Sequence, residues 1–172
     1  DIIYKQNEEL IFSKGKTISE IKKKYNFVSE DVLFSRNKMI LSSKKKTNIK
    51  DNNRNHYSLD KFNYSIKDKK LKGENILVIT NFNLPKSDKL FFKSGFFNLE
   101  TREYLASDTK IELHPDLFGK QDNNPRIYGV SSNSKNGVTS IKKATFTSCK
   151  FREDDCPPWS INAKEIKHDK NK

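Results

Sequence analysis

The sequence predicts an all-β protein, an elongated stack of antiparallel strand pairs, and three observations lead there. Aromatic and aliphatic residues recur with a period near thirty residues, the mark of a repeat architecture. Within each period apolar residues alternate with polar ones, as on half-buried strands. Short polar clusters separate the alternating runs, as turns do.

The repeat starts at the first residue. Residues 1–18 read DIIYKQNEELIFSKGKTI and residues 31–49 read DVLFSRNKMILSSKKKTNI. Each opens with Asp, two aliphatic residues and an aromatic, and each reaches a second apolar cluster after a polar stretch. Tyr4, Phe34 and Tyr64 are 30 residues apart, and seven residues after each stands Ile11, Leu41 or Leu71. Fourteen residues after come Ile18, Asn48 with Ile49 beside it, and Val78. A fourth copy follows a short insertion, with Phe97, Tyr104 and Ile111 at the same offsets. Asp1, Asp31 and Asp60 lead the first three copies, and a fifth start is visible near Glu165 and Ile166.

Along the chain, ISEIKKKY at 18–25 has a spacing too brief for a helix and reads as strand. KFNYSI places Phe62, Tyr64 and Ile66 on one face, and ENILVIT places Ile76 and Val78 opposite Leu77 and Ile79. The clusters SRNK (35–38), KDKK (67–70) and SDTK (107–110) read as turns. Residues 114–137, rich in Asn, Ser, Gly and Pro, read as a loop insertion with one short strand at Arg126–Val130. Strands resume in VTSIKKATFTSC and WSINAKEIKHD.

Composition fits one domain spanning 1–172. Leu, Ile, Val and Phe make up about a quarter of the chain, above the roughly 20% below which disorder is expected. Hydrophobic and charged residues each account for 33%, lean for a compact globule but suited to a thin, elongated domain. The net charge of +12 raises nucleic acid as a partner. Its make-up argues against it: only five basic residues are Arg, the side chain for bidentate phosphate and base contacts. Lys spread along strands is a common solvated face and edge guard.

No run approaches 18 apolar residues, the length of a membrane-crossing helix. The opening Asp-Ile-Ile-Tyr is not a signal peptide, so a leader was removed or residue 1 is an arbitrary cut. No catalytic constellation is visible. His56, His114 and His168 have no partner at ligand spacing, and Asp154-Asp155 beside Glu153 reads as an acidic turn. No glycine-rich phosphate loop occurs, with six Gly in all. The expectation is a protein that is not an enzyme, with no metal and no cofactor. Cys149 and Cys156, seven positions apart, leave the redox compartment open.

The apolar face is the candidate site. Its residues are Phe62, Tyr64, Ile76, Val78, Phe97, Ile111, Phe146, Trp159 and Ile161, which alternate with polar neighbours. Such a face is either packed core or an interior that also accepts alkyl chains.

At the C-terminal end, ATFTSC (144–149) is followed by PPWSINAKEIKHDK (157–170). This resembles the junction in the lipopolysaccharide-assembly outer-membrane protein family (LptD, the organic solvent tolerance proteins). There, Phe/Tyr-Thr-x-Cys precedes a Trp-x-φ-x-Ala-x-x-Ile-x-x-Asp segment just before a large outer-membrane β-barrel. NNPRIYG at 123–129 fits more loosely. The upstream repeats look like the OstA-type units of the family's periplasmic domain, shared with soluble bridge proteins of the same pathway. The resemblance covers essentially the whole chain, and the Cys-to-Trp segment is its most specific part.

The resemblance implies a β-jellyroll, open at its ends, on the periplasmic side of the cell outer membrane. Lipopolysaccharide would pass through it, acyl chains inward, to a barrel absent from this chain. It implies a bridge protein added by strand pairing at the first strands, with Ile2, Tyr4 and Phe12 at that edge. An outer-membrane lipoprotein plug would be met through the barrel. Cys149 matches the family cysteine bonded to the barrel. Cys156 has no counterpart there, so a local Cys149–Cys156 bond is the alternative. Two other functions remain: a Lys and aromatic single-strand nucleic-acid binder, and a structural β-solenoid spacer with a filled core.

Overall fold

The computed structural model describes residues 1–21, 23–118, 123–150 and 157–169. The protein is all-β, an elongated jellyroll-like fold. Among the described residues, thirteen strands form one antiparallel sheet. They are β1 (Ile2–Lys5), β2 (Leu10–Ile21), β3 (Tyr25–Ser35), β4 (Ile40–Ser43), β5 (Thr47–Asp51), β6 (His56–Leu59) and β7 (Lys61–Ser65). There follow β8 (Lys70–Ile79), β9 (Lys89–Asn98), β10 (Tyr104–Glu112), β11 (Arg126–Lys135), β12 (Val138–Thr147) and β13 (Ile161–Asp169).

The sheet is an up-and-down meander. β3 pairs with β4 near its C-terminal end and with β5 near its N-terminal end. β8 pairs in the same way with β7 and β6. Thus β4 with β5, and β6 with β7, act as the halves of two bent strands.

The thirty-residue repeat is one strand out and one strand back. Its residues stand directly opposite one another in a continuous row: Tyr4, Ile11, Phe34, Leu41, Tyr64, Leu71, Phe97, Tyr104. Tyr4, Phe34 and Tyr64 therefore occupy equivalent places in alternate strands. The row continues through Ser134 and Thr139 to His168. Beyond Ile11 the repeat slips by one residue, because a bulge between Ser13 and Lys16 shifts the register of β2. Ile18 consequently faces outward and is exposed, while Ile49 takes the inward place beside Tyr57 and Val78.

A bend line crosses the strands near their middles. Gly15, Asp31, Asn75, Asp108 and Lys143 all have positive φ, between 47° and 79°. Each falls where a ladder skips a pair, as at Asn75 between Glu74↔Ser94 and Ile76↔Phe92. Asp and Asn enter this left-handed region more readily than most residues because short polar side chains bond locally. Here Asp31 accepts from the Gly15 N–H at 2.9 Å, and Asp60 accepts from the Asn75 amide at 2.8 Å.

The bend folds the sheet into two facing arms, and the core fills the space between them. Rings from opposite arms touch: Phe27 lies 6.0 Å from Phe62 and 6.4 Å from Tyr64, and Phe92 lies 5.3 Å from Tyr104. The larger cluster gathers around these rings, and a smaller one holds Ile111, Ile127, Ile141 and Ala144.

Two expected loops are strand. SDTK (107–110) lies inside β10, where Asp108 bends the strand without reversing it; the reversal comes at 99–103. The polar run 131–135 completes β11, a ten-residue strand paired on both sides. Its inward hydroxyls are satisfied inside, the Ser132 hydroxyl lying 2.7 Å from that of Thr109. The chain turns back at Asn136-Gly137, both at positive φ, the conformation of a two-residue hairpin.

Candidate functional site

The site is the space between the arms. Phe62 and Tyr64 on β7 and Phe97 on β9 face it from one arm; Ile76 and Val78 on β8 and Ile111 on β10 face it from the other. All but Phe97 are buried, and Phe97 packs partly exposed against the larger cluster. In the middle the arms are in contact. The void bounded by Tyr25, Ile49, Tyr57, Leu71, Ile76 and Phe97 has a volume of about 10 Å³, room for about one water.

The C-terminal end is open by comparison. Phe146 on β12 is half-buried, with its ring 5.9 Å from that of Trp159. Trp159 is 45% exposed and Ile161 on β13 is 56% exposed. The Thr147 hydroxyl donates to the Trp159 carbonyl at 2.9 Å, tying the start of this segment to β12. Among the described residues, β13 pairs with β12 alone, which leaves its other edge unpaired.

At the opposite end β1 is the terminal strand. Ile2 and Tyr4 lie on it and are exposed, whereas Phe12 sits one strand in, paired with Ile3 and Leu33. Past Lys14, β2 is itself an edge, because β1 covers only Leu10–Ser13.

A seam closes the arms on the side away from the bend. The Tyr25 hydroxyl donates to the Leu99 carbonyl at 2.7 Å, joining the tip of one arm to the tip of the other. With the Asn53 side-chain amide turned oxygen-first toward it, Arg102, in the same turn as Leu99, donates to that oxygen at 2.9 Å. Burial raises the Tyr25 hydroxyl above the ordinary tyrosine value. Tyr57 is pushed higher still by burial and by the Asp51 carboxylate, to which it donates at 3.0 Å. These hydroxyls stay protonated as donors.

An open groove of about 400 Å³ lies at the rim beside Leu113, with Lys89, Glu112, His114 and Arg126 on its walls. Arg126 is buried and donates through one Nη1 to the Asn124 and Cys149 carbonyls, at 3.0 and 2.6 Å. It thereby ties two loops to β11.

Cys149 is half-buried and free among the described residues. Hydrogen bonding with Thr147 lowers its thiol below the usual range, and its Sγ lies 3.8 Å from the Trp159 carbonyl. Cys156 and the acidic turn at 153–155 lie outside the described residues.

The sequence places Phe62, Tyr64 and Phe97 on the inward face but does not single out Tyr25 and Phe27, which pack with them from the other arm. The alternation in YNFVSED, with Tyr25, Phe27 and Ser29 inward, was the available signal. Among the described residues, no group of three His, Cys, Asp or Glu is placed to hold a metal, and no helix is long and apolar enough to cross a membrane.

Fold and site together define a bent, open-ended β-meander with an apolar interior and an unpaired edge at each end. No protein-family model matches the chain, and no curated protein matches it in sequence.

Proposed function

We propose that the protein is a lipid-handling module in lipopolysaccharide transport and assembly, on the periplasmic side of the cell outer membrane. Acyl chains lie between the two arms, and the bridge protein of the pathway adds a strand at the β1–β2 edge. The chain leads from β13 into an outer-membrane barrel that carries the lipoprotein plug.

The observation that supports this most is the continuous inward row from Tyr4 to Tyr104, flanked by a second inward row on the other arm, with an open edge at each end. Burying an alkyl chain is worth about 0.8 kcal/mol per CH₂, so a lipid with several chains needs such shelter to cross water. Because the middle is filled, loading requires the arms to part. The Tyr25–Leu99 and Arg102–Asn53 bonds at the seam are replaceable by water.

The filled middle also favours a second reading, a structural spacer whose core never opens. A photo-crosslinking residue separates the two. Placed at Phe62 or Val78 in cells, it captures lipopolysaccharide if the interior carries lipid. Placed at outward Lys61 or Asn63, it does not, because one residue along a strand reverses the face. Labelling at neither kind of position leaves the spacer, and equal labelling means non-specific surface binding.

A further inference from the structure

Apolar residues stand on the outer surface as well as the inner one, and on β9, β10 and β11 they gather. Phe96, 50% exposed, stands opposite Leu105, 58% exposed. Val130, at the bend of β11, is 56% exposed, and Tyr128 lies two residues before it. Lysines interleave with them. Lys72 is paired with Phe96, its ammonium 5.5 Å from the ring centroid. Lys110 lies between Phe91 and Tyr128, at 5.2 and 5.9 Å from their rings. Lys93 and Lys143 stand exposed along the bend. These three strands carry only two carboxylates, Asp108 and Glu112, against Lys89, Lys93, Lys110 and Lys135, besides the buried Arg126. Glu112 is itself 2.7 Å from the Lys110 ammonium.

We propose that this outer face docks on an anionic phospholipid bilayer. Leu105, Val130 and Phe96 enter the boundary between headgroups and acyl chains, and the lysines meet the lipid phosphates. Lysines keep their charge at headgroup level while their stems lie along apolar surface. Basic residues beside partly inserted apolar ones are the combination that binds such a surface.

Single-stranded nucleic acid fits the face less well. Base stacking needs open aromatic rings, and here lysine ammoniums sit over the rings of Phe91, Phe96 and Tyr128. The two most exposed members, Leu105 and Val130, offer no ring at all. The face is on the outside of the fold, so the proposal does not depend on lipid entering between the arms.

The test is co-sedimentation of the chain with vesicles of phosphatidylglycerol and phosphatidylcholine, none containing lipopolysaccharide. The chain should bind the mixed vesicles at least about tenfold more tightly than pure phosphatidylcholine, and less tightly as salt is raised. A variant carrying Phe96→Ser, Leu105→Ser and Val130→Ser should lose about tenfold while its circular dichroism is unchanged. Lys93→Glu with Lys143→Glu, which leaves the apolar residues in place, should lose a similar factor. Undiminished binding by both folded variants would overturn the proposal, as would wild-type chain that fails to sediment with the mixed vesicles. A single-stranded oligonucleotide that binds this face more tightly than the vesicles would overturn it in favour of nucleic acid.

Discussion

The middle of the fold and its C-terminal end use the same meander to different effect. Between β3 and β10 the arms meet through large rings, with Phe27 against Phe62 and Tyr64, and Phe92 against Phe97 and Tyr104. From β11 onward the inward positions include Ser132, Ser134, Thr139 and Ala144, and the aromatic pair Phe146–Trp159 sits at a rim open to water. The bend line is common to both regions, so the backbone supplies the shape and the side chains decide whether the space is filled. A filled middle anchors the arms, and the open end leaves apolar side chains exposed to water.

The largest expected effect breaks the middle. Phe27→Ala removes a ring 2% exposed that touches the opposite arm, and should destabilise the fold by about 3–5 kcal/mol in denaturant unfolding. Trp159→Ala at the open end should cost less than about 1 kcal/mol. Equal losses would mean that the two regions do not differ as described.

Close packing near the bend gives the next effect. A Cβ on Gly129 would lie 2.3 Å from Ile141 Cγ2 and 3.1 Å from the Lys142 carbonyl oxygen. Gly129→Val should therefore destabilise by roughly 1–3 kcal/mol. Adding Ile141→Ala should recover part of that loss in a double-mutant cycle. Strict additivity would show that the clash is relieved by backbone movement instead.

The smallest effect concerns acid. Burial lowers the His56 pKa, with Lys50 adding to the shift, and the ring packs edge-on against Phe82 at 4.9 Å. With a depressed folded-state pKa, the unfolded chain takes up the proton first. The stability from His56 is therefore fully present above about pH 6.5 and is lost as pH falls through the folded pKa. His56→Gln should flatten that part of the profile of melting temperature against pH, and an unchanged slope would assign it to other groups.

How far the sequence went follows the same division. The strand pairs were legible because alternation and the thirty-residue period are local and strong from Tyr4 to Ile111. The bend line was not, because Asp31, Asp60 and Asp108 carry turn chemistry whether the chain reverses or only bends. The second half of β11, beyond Val130, was missed because its inward residues Ser132 and Ser134 are hydroxyls, and alternation in hydrophobicity cannot report them. Of the candidate site, the row through Phe62, Tyr64 and Phe97 was readable. That Phe27 and Phe92 meet it from the other arm was not, since contact between arms joins residues with no fixed sequence spacing. The exposure of Ile161 likewise depends on β13 having, among the described residues, no strand beside it but β12.

The proposed lipid handling requires the arms to part about the bend, and the distance between them tests it most directly. Spin labels at Asn63 on one arm, opposite Ser42, and at Asn48 on the other, opposite Ser58, report that distance by pulsed electron resonance. Added lipopolysaccharide should shift the distribution to longer distances by several ångströms, and the same shift should appear more readily in Tyr25→Phe, which lacks the seam bond to Leu99. A distribution unchanged by saturating lipopolysaccharide in both proteins would contradict the account and leave a spacer with a permanently closed core.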